Sequence, residues 1–279
     1  MFFSSKRIFL SLAVALSFAA PAFPAEPTET QLSANVMDYD TVSGEFKVQG
    51  NVTLKRLDIT ITSEFGQANS KTEKARMWSK VKGWGTHQGE KLDFTCDRLE
   101  SDFSVAEGDY TMTGSVDAVF GTRRLISELA RLKGPNFYAA PVTRFEDSQR
   151  KLFLVCQKMQ GDYDAQGLHH FVGTGDVYIH QINGQNDVTE IWSDRLVYNR
   201  EKDSLTATGN ARALQKGRRI TARNLIYYPS TGKLEAQGSP RITVDVSKGK
   251  NAPAGNSAQK GKRQGAWVKG IQNAGSKKP

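Results

Sequence analysis

The chain has 279 residues, a net charge of +9, 38% hydrophobic residues, 25 Gly, 9 Pro and 2 Cys, which excludes a collagen-like or disulfide-dense protein and suits one globular unit. The charge is concentrated at the ends: residues 1–22 carry Lys6 and Arg7 with no acid, residues 247–279 carry eight Lys/Arg with no acid, and 28 bases face 29 acids between them. A neutral body excludes nucleic acid as the expected partner.

Lys6 and Arg7 precede an apolar run, Ile8 to Ala20, and Ala20-Pro21-Ala22 supplies the small residues of a signal-peptidase site. The run falls short of the about 20 residues that a membrane-spanning helix needs. The segment is therefore predicted to be a signal peptide, residues 1–22, cleaved after Ala22 or after Ala25, followed by a short linker, residues 23–31. Retention as an uncleaved anchor is the other reading. No later stretch approaches 18 apolar residues, so an exported, soluble mature protein is expected.

The body, residues 32–246, is organised by repeats. A small residue is followed three positions on by an apolar one, then usually an aromatic, a polar turn, and an alternating run broken by one glycine. The copies are Ala34, Met37, Tyr39 with Phe46 to Leu54 around Gly50; Cys96, Leu99 with Tyr110 to Ala118 around Gly114; Cys156, Met159 with Phe171 to Ile179 around Gly175; Ser193, Leu196, Tyr198 with Leu205 to Ala213 around Gly209; and Ala222, Leu225, Tyr227 with Leu234 to Ile242 around Gly238. The glycine spacings are two double and two single steps of roughly 31 residues. Degenerate copies fill the two gaps, Ile61 to Phe65 with Met77 to Gly83, and Ile126 to Leu129 through Phe145. About seven units of two strands each are predicted.

Alternation in the second strand of each unit separates an inner from an outer face: Phe46, Val48, Val52 and Leu54 share one side, and Lys47, Gln49, Asn51 and Thr53 the other. The glycine is in phase with the apolar set and is expected to point inward. The three-residue step after the small slot calls for a bulge or corner. Helix is scarce; Arg124 to Lys133 fits an amphipathic helix or an irregular strand. The predicted fold is all-β, an elongated stacked antiparallel β-jellyroll.

Stacking would align the inward residues into one apolar lining: Phe46, Val48, Val52, Leu54, Met112, Val116, Val177, Ile179, Ala211 and Ile242. Such a lining suits acyl chains, whose burial contributes about 0.8 kcal/mol per methylene. An open stack also leaves unpaired edges, Ser33 to Asp40 and Ala236 to Asp245, that can template another strand, unless Pro240 and the tail block the second. Cys96 and Cys156 occupy equivalent slots and either pair as a disulfide or remain buried free thiols.

No HExxH, GxSxG or P-loop is present, so neither an enzyme nor a cofactor is expected. His169 and His170 are poor metal ligands as neighbours in a strand, because adjacent side chains point to opposite faces. Residues 247–279, rich in Gly, Asn, Ser and Lys, read as a disordered basic tail.

The frames Ala34-x-x-Met37-x-Tyr39-Asp40 with Gly50-Asn51-Val52, and Ser193-Asp194-Arg195-Leu196-Val197-Tyr198-Asn199 with Ala207-Thr208-Gly209-Asn210-Ala211, resemble the OstA-like repeat of the LptA family of lipopolysaccharide-transport proteins. The resemblance covers residues 32–244. It implies a periplasmic β-jellyroll whose interior holds lipid A acyl chains on the way from inner to outer membrane. Its implied partners are lipopolysaccharide, the jellyroll domains of inner- and outer-membrane transport components, and further copies of itself stacked head to tail. Two other readings are an envelope structural or glycan-binding repeat protein and the periplasmic domain of an inner-membrane-anchored, LptC-like component.

Overall fold

The computed structural model describes residues 30–87, 89–105, 109–164 and 166–244. The predicted signal peptide, nearly all of the linker and the basic tail lie outside the described residues. Among the described residues there is no helix. The strands are β1 (Thr30–Ser33), β2 (Val36–Asp40), β3 (Glu45–Arg56), β4 (Ile59–Asn69), β5 (Lys74–His87), β6 (Glu90–Asp102), β7 (Asp109–Phe120), β8 (Arg123–Lys133), β9 (Asn136–Asp147), β10 (Leu152–Cys156), β11 (Lys158–Asp164), β12 (Gly167–Ile182), β13 (Val188–Asn199), β14 (Ser204–Gln215), β15 (Arg218–Tyr228), β16 (Lys233–Gln237) and β17 (Arg241–Val244).

All seventeen belong to one antiparallel sheet. β1 and β2 both pair with β3, β10 and β11 both bridge β9 and β12, and β16 and β17 both pair with β15. Each of those couples is one interrupted strand, so the ladder is a meander of fourteen long strands, or seven hairpins. The residues from Arg124 to Lys133 lie in β8, paired with β7 and β9. Leu125, Leu129 and Leu132 are all half-buried, and a register shift falls at Ile126/Ser127.

The sheet folds over on itself because nearly every long strand bends at the same level. In the second strand of a unit two consecutive residues turn left-handed: Gly50/Asn51, Gly114/Ser115, Gly175/Asp176, Gly209/Asn210 and Gly238/Ser239 all have positive φ. One residue on the preceding strand lies opposite each pair, which is the two-against-one count of a bulge. Those opposing residues are polar: Asn35, Asp97, Gln157, Asp194 and Arg223, with three of their amides donating to the glycine carbonyl, as Asn35 does to Gly50 at 2.8 Å. The degenerate second unit bends at Ser79-Lys80, both with positive φ and opposite Glu64, rather than at Gly83. The fourth unit has a cis Ala140–Pro141 peptide at that level.

The glycines do not point inward. A Cβ on Gly50 would meet the exposed Asn35, one on Gly114 the exposed Asp97, and one on Gly209 the exposed Asp194. Val48 and Val52 are both buried on the inner face, and Gly50 and Asn51 form the outer corner between them.

Each strand is thereby divided between two facing walls, and side chains from both fill the space between. At four of the corners the small slot before the bend has a hydrogen-bonding reason. Ser63, Ser127 and Ser193 donate from Oγ to the carbonyl two residues on, at 2.8, 3.1 and 3.0 Å, and Cys156 does the same from Sγ at 3.2 Å. A carbonyl that the bend removes from the ladder is thus paired locally.

Candidate functional site

The inner faces make an apolar trough. Buried residues form two clusters, one from Val48 to Ala130 across β3 to β8, and one from Ala139 to Tyr227 across β9 to β15. Half-buried Leu125 packs against both and bridges the two clusters. Val48, Val52, Leu54, Met112, Val116, Val177, Ile179 and Ala211 are all buried in it. The interior is closed by its own side chains. A small recess of about 10 Å³, roughly room for one water, is lined by Ile59, His87, Leu92, Phe94, Tyr110, Met112 and Leu132.

The remaining two lining candidates lie at the ends. Phe46 is half-buried and stacks on Tyr39 with ring centroids 4.1 Å apart. Ile242 is 62% exposed rather than buried. It pairs with the buried Ile220 and shares its inward face, and among the described residues no further strand covers it. The same is true at the first strand, where Met37 faces Val48 and is 43% exposed, beside Tyr39 at 44%. Among the described residues, both ends of the trough therefore present exposed apolar side chains beside strand edges bonded on one side only.

Opposite the corners, the two rims meet along a seam of side chains that the sequence pattern did not reveal. Arg56, at the end of β3, lies over the Phe103 ring at 4.8 Å. His87 Nε2 is 3.1 Å from the Tyr163 hydroxyl, which donates to the Gly134 carbonyl at 3.0 Å. Arg150 lies over the Tyr198 ring at 5.1 Å and reaches the Leu168 carbonyl at 3.4 Å. Gln215 Nε2 donates to the Gly232 carbonyl at 2.8 Å. Arg123, nearly buried, is paired with Glu90 and faces Gly167. At Arg56, Arg150 and Gln215, cationic or amide groups from one rim rest on aromatic rings or carbonyls of the other. Contacts of the cation–π kind contribute on the order of 1 kcal/mol each.

Cys96 and Cys156 are buried free thiols, which corrects the disulfide alternative. They occupy equivalent slots two units apart, and four strand spacings of about 4.8 Å put them far beyond disulfide reach. Burial pushes both thiols up to about 12, with the Asp97 charge adding to the effect at Cys96.

His169 and His170 depart from the expected opposition of neighbours. The register shifts at Asp162/Tyr163, making His169 the extra residue, and both imidazoles approach one carboxylate: His169 Nδ1 at 2.7 Å and His170 Nδ1 at 3.9 Å from Asp162. His169 Nε2 also lies 3.5 Å from Glu201. These hydrogen bonds, Asp162's first, raise the His169 pKa. Nearby, the Arg200 guanidinium holds Asp164 down at about 2. Among the described residues no group of three or more His, Cys, Asp or Glu is arranged to hold a metal ion.

Residues 95–233 match the family model described as LptA/(LptD N-terminal domain) LPS transport protein. No curated protein sequence matches the chain. Fourteen chains of solved structures do. One is the crystal structure of LptH, described as the LptA homologous periplasmic component of the conserved lipopolysaccharide transport device from Pseudomonas aeruginosa. It is 14% identical, with a TM-score of 0.32, over 57% of this chain and 97% of that one.

Proposed function

From the match of residues 95–233 to the LptA/(LptD N-terminal domain) LPS transport protein family model, we propose that this chain is a periplasmic carrier of that family that shelters the acyl chains of lipopolysaccharide between its two walls. The observation that carries this reading is the apolar interior, two clusters bridged by Leu125 from β3 to β15, with Met37 and Ile242 exposed at its two ends among the described residues. An ordinary core needs no such open ends. A conduit does, because cargo has to pass from one jellyroll to the next.

The interior is filled when unloaded, so acyl chains enter by parting the walls at the seam, which the weak side-chain contacts there permit. Each methylene taken from water contributes about 0.8 kcal/mol, so a chain of on the order of 12 methylenes offsets the loss of several such contacts. Binding and release of this kind need no covalent step. The edges of β1/β2 and β16/β17 are suited to extension by the strands of neighbouring jellyrolls, in membrane-bound partners or in further copies of this chain. In this reading residues 1–22 direct export and residues 247–279 form a solubilising basic tail.

Photo-crosslinking amino acids at Val52, Val177 and Ala211 test the proposal in cells that make lipopolysaccharide. They should capture it, whereas the same groups at Asn51 and Asp176, on the outer corner, should not. Equal labelling of both sets would overturn the carrier reading.

A further inference from the structure

The outer surface of the last strands is charged differently from the rest of the sheet. Between residues 188 and 244 ten Lys/Arg stand against five Asp/Glu, whereas residues 30–187 carry eighteen against twenty-one. Earlier in the chain Arg76 and Arg98 share Glu100, and Arg124 holds Asp117. Arg195, Arg212, Arg218, Arg219, Arg223 and Arg241 are all exposed, and among the described residues none of them makes an ion pair or a side-chain hydrogen bond.

The register sets three of these cations beside aromatic rings. Tyr178, Trp192, Arg212, Thr221 and Arg241 are successive partners on β12, β13, β14, β15 and β17, one row across the sheet. The row faces outward, since Arg212 lies between the buried Ala211 and Ala213, and Trp192 between the buried Ile191 and Ser193. Arg212 rests over the Trp192 ring at 4.9 Å, Tyr178 packs on Trp192 at 5.3 Å, and Phe153 on Tyr178 at 6.2 Å. Arg219 is on the same face in the next row, opposite Leu214 and Thr243. Glu190 is the acid of that row, and its carboxylate accepts the Tyr178 hydroxyl at 2.7 Å. A strand spacing of about 4.8 Å puts the backbones of Arg212 and Arg241 about 10 Å apart.

We propose that this face docks on an anionic bilayer surface, the arginines taking lipid phosphates and the half-buried Trp192 and Tyr178 lying at headgroup depth. Guanidinium groups bind phosphate oxygens through paired donors, and Trp and Tyr favour the boundary between lipid and water. The charge complementarity continues past the last strand. The chain leaves this face at Val244, and residues 247–279 carry eight Lys/Arg, no acid and Trp267. Anionic lipid attracts such a polybasic segment by itself, so face and tail act on one surface. The proposal goes beyond the carrier reading and makes no use of the trough: it holds the β17 end of the stack, with its exposed Ile242, at a membrane.

Co-flotation of the full exported chain with vesicles, in the absence of lipopolysaccharide, tests it. The chain should bind vesicles containing phosphatidylglycerol and not vesicles of phosphatidylcholine alone, and about 0.5 M salt should release it. Loss of one surface cation weakens such binding about fivefold, so Arg212→Gln/Arg219→Gln/Arg241→Gln should weaken it on the order of a hundredfold. Arg76→Gln/Arg98→Gln/Arg124→Gln makes the same change in net charge and should bind within about threefold of the parent. Lysine at the three face positions should preserve most of the binding, and melting temperatures identify any variant that fails to fold. No binding to anionic vesicles, equal binding to both vesicles, parent-like binding by the face variant, or equal loss in the Arg76 variant would each overturn the docking face. Retention on dextran sulfate without vesicle binding would overturn the bilayer as partner and leave a polyanion surface. None of these outcomes touches capture of lipopolysaccharide at Val52 and Val177, so the two proposals fail separately.

Discussion

Asn210 donates from Nδ2 to Asp194 Oδ2 at 2.8 Å across the outer corner, and Gly209 beside it lies against that same carboxylate. The pair ties the bulged strand to its straight neighbour at the point where the sheet turns over. Asn51 and Asn35 make the equivalent, longer link at 3.4 Å in the first unit.

Gly209 has φ +73, and a Cβ there would sit 2.5 Å from Asp194 Oδ2. Gly209→Ala is therefore expected to destabilise by about 1–2 kcal/mol from the left-handed backbone alone, plus the cost of displacing Asp194. Combining it with Asp194→Ala should recover the second part and not the first. Urea unfolding of the two single variants and the double variant gives the coupling directly.

Ser193 predicts a smaller, chemically defined loss. Removing its hydroxyl deletes the hydrogen bond to the Arg195 carbonyl, and Ser193→Ala should cost about 1 kcal/mol. Ser193→Cys should cost less, because Cys156 already makes the same contact to the Lys158 carbonyl. A denaturation series in which the alanine and cysteine variants are indistinguishable would remove the carbonyl-pairing role from the slot.

The two thiols should be silent in the folded protein. Burial holds Cys96 and Cys156 protonated far above neutral pH, and the thiolate is the reactive form. A thiol reagent at pH 8 should label neither residue under native conditions and both in denaturant without added reductant. Recovery of no thiol in denaturant would mean that the two are bonded to each other.

Acid and base should act in opposite senses on the rim around β11 and β12. The His169 pKa is raised from 6.5 by Asp162 and then Glu201, so its contribution is fully present below pH 6.5 and disappears as pH rises through the higher folded-state value. Asp164 is lowered from 3.8 to about 2 by Arg200, so its contribution is present above pH 3.8 and lost as pH falls through about 2. Nuclear magnetic resonance titration should place the His169 transition above that of a free histidine, and Asp162→Asn should move it down. An unchanged His169 transition in that variant would exclude Asp162 as its partner.

The repeat of roughly 31 residues, the seven hairpins, the inner and outer faces, and the level of the bend in five units were all legible in the sequence alone. They are local properties: alternation has a period of two within a strand, and the small slot, aromatic and glycine recur at fixed offsets inside each unit. That is why alternation by itself assigns Val52, Val116, Val177 and Ala211 to the inner face. Only the tertiary structure decided which way Gly50 and Gly209 face, that the second unit bends at Ser79-Lys80, and that His169 and His170 share a carboxylate. Each depends on how many residues the partner strand sets opposite, and one strand's periodicity does not contain that count. The exposure of Ile242, the separation of Cys96 from Cys156, and the seam from Arg56–Phe103 to Gln215–Gly232 arise at a further level, when the sheet doubles over and brings together rims that are distant in sequence. No local pattern marks those meetings, because they are set by accumulated strand spacing and twist.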